Sequence, residues 1–216
     1  MKRIAVIGLG RFGYQVAVTL AEKGAEVIAI DKDPAKIEEI KDRVSLAVTL
    51  DSTDVEALKA QGIDNVEVAV VCMGEDFEAA LLTAVTLKEI GVKEVIARTN
   101  TAIRGEILRR VGVDGVVFPD DEMGKRLAQN LLYPTVVNSI PLSEGYSIAQ
   151  LKVPPEFHGK KLSELDLRRR FGINVVAIMK KGGEIDNVPP PEYVLGEGDT
   201  LVLIGPNTSI EKLGKK

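Results

Sequence analysis

Six residues near the N-terminus, Gly8-Leu9-Gly10-Arg11-Phe12-Gly13, fit the spacing G-x-G-x-x-G. In a diphosphate-binding turn each glycine has a mechanical reason. Gly8 permits the tight turn, Gly10 lets the backbone approach a pyrophosphate, and Gly13 lets the following helix sit close to a sheet. An apolar run, Arg3–Gly8, precedes the turn, and a stretch with helical spacing, Phe12–Lys23, follows it. A helix starting there presents unpaired N–H groups and the positive end of its dipole to a phosphate. Asp31 stands roughly 20 positions beyond Gly10, where a carboxylate accepts hydrogen bonds from both hydroxyls of an adenosine ribose. Its charge repels a 2′-phosphate and so disfavours NADP. Three glycines alone also occur in ordinary βα turns; strand, helix and acid together favour a nucleotide.

Further candidates surround this loop. Arg11 opens the helix, where the dipole disfavours a cation, and a nearby anion accounts for it. Asp51-Ser52-Thr53-Asp54 follows the third apolar run. Asp51 and Ser52 could reach adenine or ribose, or the cluster could cap the next helix through Ser52 or Thr53. Met73-Gly74 and Arg98 end the fourth and fifth runs, at the strand ends where open α/β sheets bind ligands. Arg98 is either a second phosphate partner or a surface cation. Phe12 and Lys32, beside the glycine turn and the ribose acid, complete the set.

Groups for catalysis are scarce. The single histidine, His158, lies in Pro154-Pro155-Glu156-Phe157-His158-Gly159 and reads as a loop residue. Cys72 sits inside an apolar run, as expected of an inert core thiol. No G-x-S-x-G, S-x-x-K or H-E-x-x-H spacing occurs. A nicotinamide dehydrogenase needs a proton donor or base beside the hydride path and a shaped substrate pocket. The nucleotide therefore reads as a ligand that is sensed rather than a reagent consumed. The alternative is a small NAD-dependent oxidoreductase whose substrate site lies in the C-terminal part.

The elements that must position these residues are legible as alternation. Strands are expected at Arg3–Gly8, Glu26–Asp31, Val44–Thr49, Val66–Met73, Glu94–Arg98 and Gly115–Pro119. They are continuous apolar runs, as parallel strands covered on both faces should be. Helices are expected at Phe12–Lys23, Pro34–Arg43, Asp54–Gln61, Glu75–Gly91, Ala102–Gly112 and Asp120–Leu132, with Gly24, Gly62, Gly91 and Gly112 at helix ends. This is the pattern of a doubly wound parallel-sheet Rossmann domain, α/β in class. Beyond it the rhythm changes. Strands are expected at Ser147–Val153, Asn174–Lys180 and Thr200–Gly205, with a short helix at Leu162–Phe171 and turns between. The expected organisation is a nucleotide-binding domain over residues 1–134 and a smaller α+β domain over 135–216.

Composition agrees with a globular chain. Of 216 residues, 45% are apolar and 28% charged, close to globular averages. The 28 Lys and Arg against 32 Asp and Glu leave a net charge of −4, which does not point to nucleic acid or an anionic membrane. One cysteine excludes an internal disulfide and suits a reducing cytosol. The apolar run Ile4–Ile7 is too short for a signal peptide, and no run is long enough to span a membrane. Any membrane contact is expected through a partner.

The segments Lys2–Gly13, Asp31, Asp51-Ser52-Thr53-Asp54 and Pro119-Asp-Asp-Glu-Met-Gly-Lys-Arg126 resemble the nucleotide-binding RCK (KTN) domain. This is the cytosolic gating domain of potassium channels and of Trk/Ktr transporters. The tail is similar to the family's companion C-terminal module at Gly159–Leu165, Phe171–Ile178 and Gly196–Gly205. One copy of each module resembles a separate regulatory subunit of the Trk/Ktr type. The resemblance implies a cytoplasmic protein at the inner face of the membrane, bound to a membrane-embedded potassium transporter subunit. It implies ATP/ADP or NAD(H) as ligand and pairing through the helix Asp120–Leu132 into a homodimer, with four dimers forming an octameric ring. It places Gly8, Gly10 and Gly13 at the diphosphate, Asp31 at the ribose, Asp51 and Ser52 at the adenosine end, and Arg11 and Arg98 at the outer phosphates. It also places Glu122 at the dimer interface as a divalent-cation ligand, against the plain reading of a first-turn helix acid.

Overall fold

A computed structural model describes residues 1–215. The chain divides into two compact units, Met1–Glu122 and the residues from Met123 onward. The division falls within a helix, ahead of the 134/135 junction expected from sequence. The last residue of the expected second domain, Lys216, lies outside the described residues.

The first unit alternates strand and helix, with one 3₁₀ turn at Ile63–Asn65, up to its last helix, within which the division falls. In order come β1 (Arg3–Ile7), α1 (Arg11–Glu22), β2 (Glu26–Asp31), α2 (Pro34–Ile40), β3 (Leu46–Thr49) and α3 (Val55–Ala60). Then come β4 (Val68–Val71), α4 (Phe77–Glu89), β5 (Glu94–Arg98), α5 (Ala102–Arg110), β6 (Gly115–Val117) and α6 (Pro119–Leu132). The six strands form one parallel sheet in the order β3-β2-β1-β4-β5-β6. The order reverses at β1, which puts the topological switch point between β1 and β4, directly beyond the glycine turn.

Alternate side chains of β1 enter two different cores. Ala5 and Ile7 pack with Leu58 of α3, Ala84 and Leu87 of α4, and Leu108 of α5. Ile4 and Val6 pack with Ala17 and Val18 of α1 and Ile40 of α2. A strand buried on both faces must be apolar throughout, so these strands read as continuous runs. Side chains supply the helix starts: Asp33 accepts from Ala35 N–H, Asp54 from Glu56 and Ala57, Asp76 from Ala79, and Thr101 from Arg104. The cap of α3 is thus Asp54, not Ser52 or Thr53. One helix differs. α1 has Gly10 at its N-cap and receives no side-chain cap.

The second unit contains β7 (Val136–Ser143), β8 (Tyr146–Lys152), α7 (Leu167–Phe171), β9 (Asn174–Met179), β10 (Ile185–Asp186), β11 (Thr200–Pro206) and α8 (Asn207–Gly214). Its sheet is antiparallel where paired, ordered β10-β9-β11-β8-β7. Ala149, Leu151, Ile178, Leu201 and Leu203 form the core with Ile210 and Leu213 of α8. Three elements have no counterpart in the sequence reading: β7, β10 and α8. β7 carries Asn138, Ser139 and Pro141 and is mostly exposed, so it lacks the alternation of a half-buried strand. As an edge strand it tolerates the proline. The expected helix Leu162–Phe171 is broken. A 3₁₀ turn over Leu162–Leu165 gives way to α7 at Asp166, whose φ is +43°.

Candidate nucleotide-binding site

A cleft of about 900 Å³ opens at the carboxyl ends of the first unit's strands. Eleven of the twelve nucleotide candidates line it: Gly8, Gly10, Arg11, Phe12, Asp31, Lys32, Asp51, Ser52, Met73, Gly74 and Arg98. Gly13 does not, because it is a packing glycine. A Cβ there would lie 1.9 Å from the Gly8 carbonyl oxygen and 3.0 Å from Cys72 Cβ. Gly8 has φ +91° and packs against Met73. Around Gly10 the space a Cβ would enter is open. The sequence thus gives the three glycines different jobs: turn, approach and packing.

The start of α1 leaves its first N–H groups without a side-chain acceptor. Intrahelical bonding begins with the Tyr14 N–H donating to Gly10 C=O, so the earlier N–H groups have no helical acceptor. The first turn contains no acid. Arg11 is exposed and makes no hydrogen bond or ion pair with any described residue. Arg98, by contrast, is engaged. Its Nη2 is 3.0 Å from Asp120 Oδ2, its guanidinium stands 5.5 Å from the Phe12 ring centroid, and it lies against Gly74. Its Nε is buried and has no partner among the described residues.

At the end of β2, Asp31 is 6% exposed and holds its own loop. Oδ2 accepts from the Leu9 N–H at 2.6 Å and from Lys36 Nζ at 3.1 Å, while Oδ1 accepts from the Asp33 N–H at 2.9 Å. Burial pushes its pKa up, but these hydrogen bonds and the Lys36 charge outweigh burial and hold it below the usual value. Asp31 therefore stays a carboxylate at neutral pH. Lys32 reaches Asp76 at 3.7 Å, an ion pair exposed on both sides.

Beyond β3, Asp51 accepts from Thr53 N–H and Thr53 Oγ1, which lowers its pKa. Ser52 is buried, with its Oγ 2.8 Å from Thr83 Oγ1 of α4. Leu50, Met73, Ala79 and Leu82 give this part of the cleft apolar lining. Apolar walls with a few placed polar groups are usual in ligand pockets.

Five charged lining residues were not among the candidates expected from sequence: Lys36, Glu75, Asp76, Glu78 and Asp120. Lys36 stood among several charges in α2, and Asp120 among three first-turn acids of α6. Nothing in residue type separated them from solvated neighbours. Glu122 is exposed in the first turn of α6 and does not line the cleft. Among the described residues, no three His, Cys, Asp or Glu side chains gather as a metal site. Burial pushes the Cys72 thiol up to about 12, partly offset by Arg98, so it is no nucleophile. His158 follows a 3₁₀ turn in the second unit, its Nε2 3.2 Å from the Val153 carbonyl oxygen.

Residues 4–119 match the TrkA-N domain, and residues 148–216 match the TrkA-C domain. The chain belongs to the TrkA-N domain family. Over its whole length this TrkA-N protein is 37% identical to Ktr system potassium uptake protein C of Bacillus subtilis (strain 168), covering 97% of that protein. It is 32% identical to Ktr system potassium uptake protein A of Vibrio alginolyticus, covering 96% of it. Among solved structures it is similar to the GsuK RCK domain, with a TM-score of 0.57 and 28% identity over 99% of this chain. The TrkA-N chain spans 46% of that structure's chain, and 38% of a GsuK channel bound to NAD that matches with the same TM-score. The Rossmann-like parallel sheet followed by an antiparallel module is thus the RCK architecture.

Proposed function

We propose that this protein is a nucleotide-sensing regulatory subunit of a potassium uptake system. An adenine nucleotide binds in the first unit's cleft, and its occupancy governs ion flux through a membrane-embedded transporter subunit. The observation that carries the ligand is the uncapped start of α1 beside Gly10, with Arg11, unpartnered among the described residues, on one side and buried Asp31 on the other. The potassium role is supported by the Ktr relatives, matched from end to end. In this reading Gly8, Gly10 and Gly13 form the diphosphate turn, with Phe12 and Gly74 bordering it. Asp31 and Lys32 flank the ribose, Asp51, Ser52 and Met73 the adenosine end, and Arg11 and Arg98 the outer phosphates.

No helix of the described residues is long and apolar enough to cross a membrane. The transporter partner supplies membrane contact, and the chain works at the cytoplasmic face. Met123, Leu127 and Leu131 of α6 are 59%, 59% and 74% exposed. They recur every fourth residue, so they share one helix face. A second copy of the chain covers that face, making the dimer the unit of a larger ring. A divalent cation at Glu122 needs ligands from that second copy. ATP/ADP suits the two arginines better than NAD(H), although both offer a diphosphate and an adenosine ribose. Control of flux follows only if the ligand binds two states with different affinity.

Titration calorimetry with ATP, ADP, NAD and NADH tests the core of this reading. The expected result is saturable binding, with the ligand recovered chemically unchanged after long incubation. Absence of binding by all four, or steady turnover of the ligand, overturns it.

A further inference from the structure

Asp31 completes the glycine-turn motif, yet its carboxylate is already well supplied with donors. A carboxylate offers about four acceptor positions. Leu9 N–H, Asp33 N–H and Lys36 Nζ take three of them. The two backbone donors are fixed by the chain's path, Leu9 by the glycine turn and Asp33 by the cap of α2. Lys36 is different. It sits on a flexible stem at the start of α2, with its side chain 40% exposed, and it lines the cleft. A ribose with free 2′ and 3′ hydroxyls brings two donors to a carboxylate with one open position. Full engagement therefore requires the ammonium to withdraw.

The same ammonium acts in the opposite sense on a charged ribose. A 2′-phosphate directed at a bare, buried carboxylate meets strong repulsion. Beside Lys36 it meets a cation within reach of the same spot. We propose that Lys36 is a specificity-determining residue of this cleft: it competes with ribose hydroxyls for Asp31 and supplies a counter-charge to a 2′-phosphate. The inference rests on the nucleotide reading of the cleft and adds which ribose the cleft prefers. Lys36 broadens the choice that Asp31 alone would make sharp. A half-exposed ion pair corresponds to about two- to fivefold in an equilibrium.

The test compares the full chain with its Lys36→Met variant, which keeps most of the stem and removes the charge. Calorimetry measures ADP against 2′-deoxy-ADP, and adenosine 2′,5′-bisphosphate against AMP. Within each pair, interactions at the 5′-phosphates cancel. Lys36→Met is expected to raise the preference for ADP over 2′-deoxy-ADP about two- to fivefold. It is expected to lower the relative affinity for the bisphosphate by at least as much. Lys36→Arg, which keeps the charge, retains both shifts in the wild-type direction. Matching thermal melts confirm that the variants are folded. If either ratio is unmoved in Lys36→Met while ADP still binds, the proposal is overturned and the nucleotide reading stands. If the wild-type chain binds neither ADP nor AMP, the nucleotide reading fails, and the proposal fails with it.

Discussion

The two arginines at the cleft differ in what they have left to give. Arg98 is committed to Asp120 and to the face of Phe12, so a phosphate must compete for it. Arg11 has no partner among the described residues and stands where the α1 dipole works against its charge. In the proposed function a terminal phosphate supplies what Arg11 lacks, and its loss would free the side chain again. Arg11→Ala should therefore weaken ATP about tenfold, as expected for a hydrogen bond between charged groups, and weaken ADP less. Calorimetric titration of both nucleotides checks this; an unchanged ATP-to-ADP ratio would remove Arg11 from the role. Substitution at Gly13 would not be as clean a test, since the contact with the Gly8 carbonyl breaks the turn itself.

Among the elements, α6 carries an exposed apolar face without any buried residue. Isolated apolar side chains on a surface are ordinary, but a stripe along one helix face marks an association surface. Replacing Leu127 and Leu131 together by Ser removes two of the three residues of that stripe while leaving the buried cores of both units untouched. Light scattering should then report a loss of dimers and higher assemblies, with the thermal melt of each unit little changed. A wild-type mass at this concentration in the variant would place the self-association elsewhere. In the cleft, by contrast, position within the element decides: Gly8, Asp31, Met73 and Arg98 fall at or just beyond the carboxyl ends of β1, β2, β4 and β5, on either side of the point where the sheet's order reverses.

For the molecule as a whole, the presence of two units with separate cores has a thermodynamic consequence. A ligand that binds only the folded first unit stabilises it by about 2.7 kcal/mol at a hundredfold excess over Kd. For a unit of this size that raises the midpoint by roughly 10 °C. Scanning calorimetry with saturating ADP should show the rise in the transition of the cleft-bearing unit. A thermogram identical with and without ADP would contradict binding at this cleft.

The alternation of the first unit was legible because local and global constraints coincide there. Strands covered on both faces must be apolar throughout, and the diphosphate turn demands glycine at fixed spacing, so the fold and eleven cleft residues could be named from residue types. The second unit was less so. β7 is an exposed edge strand with polar residues and Pro141, and α8 is short, its two core residues Ile210 and Leu213 lost among polar neighbours. Charged residues were least legible. Lys, Arg, Asp and Glu are solvated by default, so only the folded chain shows that Lys36 settles on Asp31, that Asp120 takes Arg98, and that of the cleft's cations Arg11 has no partner among the described residues. Sequence determined where a nucleotide could sit; the tertiary structure decided which charges were already spent, because each charged side chain has several partners within reach along the chain and only the folded backbone selects among them.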